Sequence, residues 1–344
     1  MRGATVHPDS VQLQPVGRGR GRAARACGAL LLGLLGLGQG ALAQDYPARP
    51  VRVIVPYVAG GLGDQATRVL VTAMGQQVGQ SFVVENLSGG SGIPAMQAAM
   101  RAAPDGYTIT YGDTGQWAIN AALFAQLPYD MLRDFAPIRM FGLSNLFILV
   151  PGNSSLNSLQ DVVSQAKSRP GALTYASSGV GSPHHMMMED LKARLGLNIL
   201  HVPFRGTSQS IPAVLAGDVA IGVASLPAVA GFIKEGRLKV LGTTGKERSA
   251  SAPAVPTISE AVSPGFDGSA GFGLLAPARA PRAVVDKLAD TMRRALATPE
   301  LVTRLSALGV DPVTNSSPES FAARIRDERS TLTRIAKDAG IKAE

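Results

Sequence analysis

Cysteine is almost missing from this 344-residue chain, Cys27 being the only one. It stands ahead of a leucine-rich run rather than at its end, which is the wrong place for a lipid-bearing cysteine. Beyond it, no disulfide, thiolate nucleophile or cysteine metal site can form, so stability must come from a hydrophobic core. Aromatic residues are also sparse, 5% with a single tryptophan, and no basic–aromatic stripe interleaves them. That pattern argues against nucleic acid as a partner. The longest wholly apolar part, residues 27–37, is about half of the roughly 20 residues a membrane span needs. Catalytic signatures are equally absent. There is no G-x-S-x-G or H-E-x-x-H, and Ser178 and Ser182 near His184 lack an orienting acid in the sequence. The reading is therefore of a chain with no catalytic residue, no resident cofactor and no metal.

What is present begins with an address. Arg18, Arg20, Arg22 and Arg25 precede an uncharged run over 27–43, and Ala41-Leu42-Ala43 is a small-residue exit. A basic segment, an apolar segment and an A-x-A site predict a signal peptide over 1–43, cleaved before Gln44, and a soluble periplasmic product. The net charge of +8 is partly the signal's: without its five arginines and one aspartate, 28 basic and 24 acidic residues remain, or +4. A mild positive field slightly favours anionic ligands.

Past the signal, short apolar strands alternate with helical segments, beginning with a strand over Val51–Val55, a helix over 64–78 and a strand over 81–85. The rhythm continues to a strand over 239–243 and predicts an α/β fold of mainly parallel sheets flanked by helices. After 271–276 the pattern is helical, with Pro281, Pro299 and Pro318 at helix starts. Two strands, 147–150 and 272–275, bound a middle block with its own βα units and read as hinge crossings. One lobe is then 44–145 plus 276–344, and the other is 146–275 with the hinge strands.

Three loops at one sheet edge hold the candidate site. Gly61, Gly63 and Ala66 spell G-x-G-x-x-A after the first strand, and Glu85 follows about twenty residues on, close to the dinucleotide fingerprint. A glycine turn opening a helix suits any anion, however, carboxylate as well as pyrophosphate. Asp64, read as the helix cap, would set negative charge beside phosphates, and secretion removes the chain from the nicotinamide pool. Carboxylate binding by Ala59, Gly60 and Gly61 is preferred over a dinucleotide-binding enzyme. The glycine loop 88–92 reads as either a flexible turn or a site. Thr114 and Gly115 end the third strand with a hydroxyl and backbone donors. In the middle block, Ser178, Gly179, Gly181, Ser182 and His184 lie in one loop that opens a helix, and Gly206 and Thr207 in another. Arg205 is the one obvious cation there, facing either a ligand or solvent. The His184–Met188 cluster could suggest copper, but adjacent residues do not share a helical face.

These motifs together resemble the tripartite tricarboxylate transporter substrate-binding proteins, the Bug/TctC family. The resemblance rests on Val55-Pro56-Tyr57-Val58-Ala59-Gly60-Gly61 with Asp64 and Arg68, and on Val84-Glu85-Asn86. Pro104-Asp105-Gly106-Tyr107-Thr108, His201-Val202-Pro203-Phe204-Arg205-Gly206 and Pro256-Thr257 with Glu260 complete it. It implies a two-lobed Venus-flytrap fold of the type II periplasmic binding class and a monomer. It also implies a small carboxylate held between the lobes, partly by amides of the first glycine loop, and delivery to a membrane permease. The positions carried over are Ala59, Gly60, Gly61, Thr114, Gly115, Ser178 to Ser182, Gly206 and Thr207. A ligand sensor feeding a signalling receptor is the alternative. The chain departs from the family at Leu87-Ser88, where an arginine is common, and at Ala220 and Ala224-Ser225, where acids are frequent. Loss of an acid near Ser225 favours a carboxylate without an amino group, and His184-His185-Met186 suggests a ring.

Overall fold

The computed structural model describes residues 46–342 and Gly3; the signal peptide expected over 1–43 and its cleavage point otherwise lie outside the described residues. Strands β1 (Val51–Val55), β2 (Phe82–Asn86) and β3 (Thr108–Asp113) pair in parallel with β1 in the middle. Their loops therefore leave from one edge, where open α/β sheets bind ligands. Strands β4 (Phe135–Ser144), β10 (Ala270–Pro277) and β11 (Val310–Pro312) complete a six-stranded sheet in the order β11-β4-β10-β3-β1-β2. These three run antiparallel to their neighbours, a pairing that needs no crossover helix.

The second lobe is built on β5 (Leu146–Pro151), antiparallel to both β8 (Gly222–Ser225) and β9 (Leu238–Thr243). Beside β8 lies a parallel pair, β6 (Thr174–Ser177) and β7 (Leu200–Pro203). It is attached where Ala176 N–H donates to Ile221 O at 2.9 Å and Ile221 N–H to Thr174 O at 3.1 Å. Only Asn145 separates β4 from β5. The segment 147–150 lies within β5 and stays in the second lobe's sheet, while 272–275 lies within β10 and stays in the first. The chain thus passes between sheets at Asn145 and again over 244–269. Both sheets belong to one compact unit that starts at Pro47.

Each lobe has its own core. In the first, Ile54, Met96, Trp117, Phe135, Leu275 and Phe321 cluster. In the second, Ile148, Tyr175, Met188, Leu191, Ile221 and Phe266 do so. Each such large side chain contributes about 1.5–3 kcal/mol when fully buried. Helix Leu62–Val78 turns Ala66, Leu70, Val71 and Met74 inward. Helix Pro318–Asp338 starts at a reciprocal cap between Ser317 and Ser320 and sets Phe321 edge-on to Trp117 at 5.1 Å. Its far end joins the lobes, because Ile335 and Ala336 pack with Met186 of helix Pro183–Leu195. No helix among the described residues is long and apolar enough to cross a membrane.

Candidate functional site: the interlobe cleft

A cleft of about 1370 Å³ opens between the two sheets. From the first lobe it takes Tyr57, Gly61, Leu62 and Gly63 after β1, Ser91 and Gly92 after β2, and Asp113, Gly115 and Gln116 at the end of β3. From the second it takes Gly179, Gly181, Ser182 and His184 after β6, Arg205 and Thr207 after β7, and Ser225 after β8. Of the residues expected from the sequence, Gly61, Gly115, Gly179, Gly181, Ser182, His184, Thr207 and Ser225 therefore line one space. Ala59, Gly60, Thr114, Ser178 and Gly206 are outside its lining.

At the first loop, Gly60 is engaged by a hydrogen bond within the lobe. The residue that caps the helix is Gly61, not Asp64. Asp64 sits in the first turn, 2% exposed, and reaches back to accept the Gly60 amide at 2.8 Å. It also accepts from Arg68 Nε at 2.9 Å and Asn86 Nδ2 at 2.9 Å. Burial pushes its carboxyl up, but the bonds from Arg68, Gly60 and Asn86 more than reverse this and hold it below its ordinary value. The Gly61 amide is turned onto Val58 O at 3.3 Å. The first amides of a helix have no partner within it, so Leu62 and Gly63, both in the cleft wall, are the donors left for an anion.

The cleft floor is a closed polar network. Asp113 accepts from Tyr57 OH at 2.7 Å, Tyr111 OH at 3.1 Å and Gly115 N–H at 2.8 Å. Gln116 Nε2 donates to Tyr57 OH at 3.1 Å. Burial pushes the Asp113 carboxyl up, against the pull of those donors, and pushes both tyrosine hydroxyls up as well. Thr114 turns the other way: its hydroxyl donates to Glu328 Oε2 at 3.0 Å and accepts from Gly271 N–H at 2.9 Å. Trp117 Nε1 donates to the same Glu328 oxygen at 2.6 Å.

In the second lobe, Ser182 caps helix Pro183–Leu195 by accepting the His185 amide. His184 faces the cleft with Nδ1 2.7 Å from Ser178 Oγ, and burial pushes its imidazole down to about 4. It is therefore neutral near pH 7, and its Nε2 has no hydrogen-bond partner among the described residues. The rest of the His–Met cluster goes inward. His185 stacks on His201 at 3.8 Å, and Met186, Met187 and Met188 are core residues. Thr207 and Ser225 line the cleft, and Ser225 makes no capping bond with its hydroxyl. Arg205 lines the cleft, and Lys342 joins it at the rim.

A profile of the tripartite tricarboxylate transporter family receptor matches residues 66–341. The chain belongs to this family. Protein BugT of Bordetella pertussis is 32% identical over 301 residues, which are 87% of this chain and 92% of that one. The solved structure of R. palustris Rpa4515 with adipate superposes with a TM-score of 0.72 at 30% identity, over 87% of this chain and 99% of that one. MatC from Rhodopseudomonas palustris with bound malate gives 0.68 at 30% identity, over 84% and 99%. As a tripartite tricarboxylate transporter receptor the chain is a two-lobed solute-binding protein.

Sequence reasoning passed over several cleft residues of this receptor. Ser91 lies in the glycine loop 88–92, which joins the cleft lining, and holds φ +55, a left-handed backbone unusual for a residue with a side chain. Phe124, Phe204 and Phe272 supply apolar wall; Phe204 stands in a quoted motif and Phe272 in a predicted strand, but neither reads there as a wall residue, and Phe124 is not singled out. Asp113, Gln116 and Tyr57 were readable only as loop residues, since their network joins segments more than fifty positions apart.

Proposed function

We propose that this receptor captures a small carboxylate that lacks an ammonium group and presents it to the membrane permease of a tripartite transporter. Its place of action is the periplasm, reached through a cleavable signal peptide over 1–43. The observation that carries the reading is the pairing of donor-bearing residues across one cleft. Leu62 and Gly63, at the start of a helix, line it from the first lobe, and the hydroxyl-bearing Thr207 and Ser225 line it from the second. Helix starts favour negative charge, and Arg205 and Lys342 are the cations in the lining. The cleft's carboxylate, Asp113, is already met by three donors, which leaves it little capacity for a ligand ammonium. Relatives crystallised with adipate and malate support the same ligand class. The lobes turn about Asn145 and the 244–269 return, and the ligand must favour one arrangement for binding to drive the motion.

A thermal-shift screen of refolded, ligand-stripped protein tests this. The panel is mono-, di- and aromatic carboxylates, amino acids and NAD. A carboxylate at a thousandfold its dissociation constant stabilises by about 4 kcal/mol. A shift with NAD or with amino acids alone overturns the reading.

A further inference from the structure

The glycine-rich loop after β6 is held from behind by two stacked rings. Gly181 N–H donates to His185 Nδ1 at 3.0 Å. Gly179 N–H donates to Ser177 Oγ at 3.1 Å, and that oxygen lies 2.6 Å from His201 Nε2. The two imidazoles stack at 3.8 Å, and His201 stacks in turn on Tyr175 at 4.9 Å. His185 is 6% exposed, and its own amide is accepted by Ser182 at 3.3 Å. Gly179, Gly181 and Ser182 are all cleft-lining residues, so the stack fixes one stretch of the ligand wall.

The bond to Gly181 depends on one ring nitrogen. An amide can donate to Nδ1 only while that atom carries no proton, which sets the neutral ring's hydrogen on Nε2. On its own helix the ring meets Glu189, whose Oε1 is 3.9 Å from Nε2, and Lys192, which donates to the same oxygen at 2.6 Å. From β6, Tyr175 OH donates to that oxygen as well, at 2.7 Å. From β7, His201 covers the ring face. Burial pushes the His185 imidazole down, Glu189 opposes this and Lys192 adds to it. In the protonated ring both nitrogens are donors, and Nδ1 then sets a hydrogen against the Gly181 amide.

We propose that His185 is a positioning residue for capture: neutral, it holds the Gly181 amide and with it the second-lobe wall of the cleft, and a proton at Nδ1 releases that wall and the bound carboxylate. The inference rests on the carboxylate reading of the cleft and adds to it a release step driven by acid. His185 touches no ligand; it acts through Gly181.

Calorimetry with adipate, malate and benzoate from about pH 7.5 to about pH 5 tests it, beside amide NMR of the ligand-free protein. Over that interval, affinity is expected to fall at least about threefold further in the unaltered protein than in His185→Asn. The asparagine offers an oxygen near the place of Nδ1 and does not titrate, and the ligands' own titration is common to both proteins. His185→Leu leaves Gly181 without that acceptor and is expected to bind at least about tenfold more weakly at neutral pH, a loss that His185→Asn largely recovers. In the NMR arm, the Gly181 amide resonance is expected to move as the pH falls and to stay in place in His185→Asn. Parallel pH profiles of affinity in these two proteins, or a Gly181 amide that does not move, overturn the proposal and leave the carboxylate reading standing. If none of these carboxylates binds the unaltered protein at any pH, the proposal falls together with that reading.

Discussion

A β-carbon at position 63 would stand 3.1 Å from the Tyr111 ring and hydroxyl and 3.1 Å from the Tyr57 ring. Neither ring can retreat, since both hydroxyls are tied to Asp113. Gly63→Ala is therefore expected to destabilise the protein by about 1–3 kcal/mol, read as a lower Tm, and to weaken carboxylate binding about tenfold, since the same residue lends an amide to the cleft. Binding unchanged in Gly63→Ala would mean that the donors lie elsewhere. A second expectation concerns acid. Burial pushes the imidazoles of His184 and His201 down to about 4, and nearby His185 lowers His201 further. In the unfolded chain they titrate near 6.5, so between those values the unfolded chain binds more protons and stability falls as pH drops. Thermal denaturation followed from neutral pH downward should show a declining Tm with a shallower slope in His201→Gln; equal slopes would remove this cause. At this scale the sequence marked the glycine loop that lines the cleft, but not the bonds that its amides make. Asp64 draws the Gly60 amide away, and Glu328, 214 positions distant, turns Thr114 out of the cleft. The first bond spans four positions and the second, across 214, has no local signature.

Among the elements, β1, β2, β3 and the helices after β1 and β2 are legible because apolar runs end in turns that contain glycine; the helical stretch Gly115–Ile119 after β3 is not. Nor is β4, the ten-residue strand. Pro137 and Gly142 interrupt it, and Arg139 is 7% exposed in its middle, so it shows neither alternation nor a continuous apolar run. Its pairing with β10 accommodates the irregularity through two register shifts. The same distance from local pattern applies to Glu328, which joins helix Pro318–Asp338 to Trp117, Thr114 and, through Thr114, to Gly271. Removing one partner from such a buried charged cluster is costly. Glu328→Ala is expected to lose about 3 kcal/mol in denaturant titration, and a loss under about 1 kcal/mol would show that the cluster is dispensable. By contrast, Ser182→Ala removes only a helix cap and should cost about 1 kcal/mol.

For the molecule as a whole, the lobes approach closely where Gly181, at φ +73, faces the Leu123 side chain across the cleft. A side chain at 181 would act as a wedge. Gly181→Val is expected to weaken carboxylate binding about tenfold, and Leu123→Ala added to it should restore part of that affinity. A double variant no better than the single one would assign the loss to backbone strain alone. Two α/β lobes were visible in the rhythm of the sequence, but the places where the chain passes between their sheets were not. Nor was the bridge from helix Pro318–Asp338 to Met186, because it depends on residues some 150 positions apart meeting at one surface. Lys342 gives this arrangement a practical use. It lies on the rim of the cleft, and Cys27 is the chain's sole cysteine. In protein cut before Gln44, Lys342→Cys would carry the only thiol, and an environment-sensitive dye attached there would report each capture event as a change in fluorescence, making the receptor its own optical sensor.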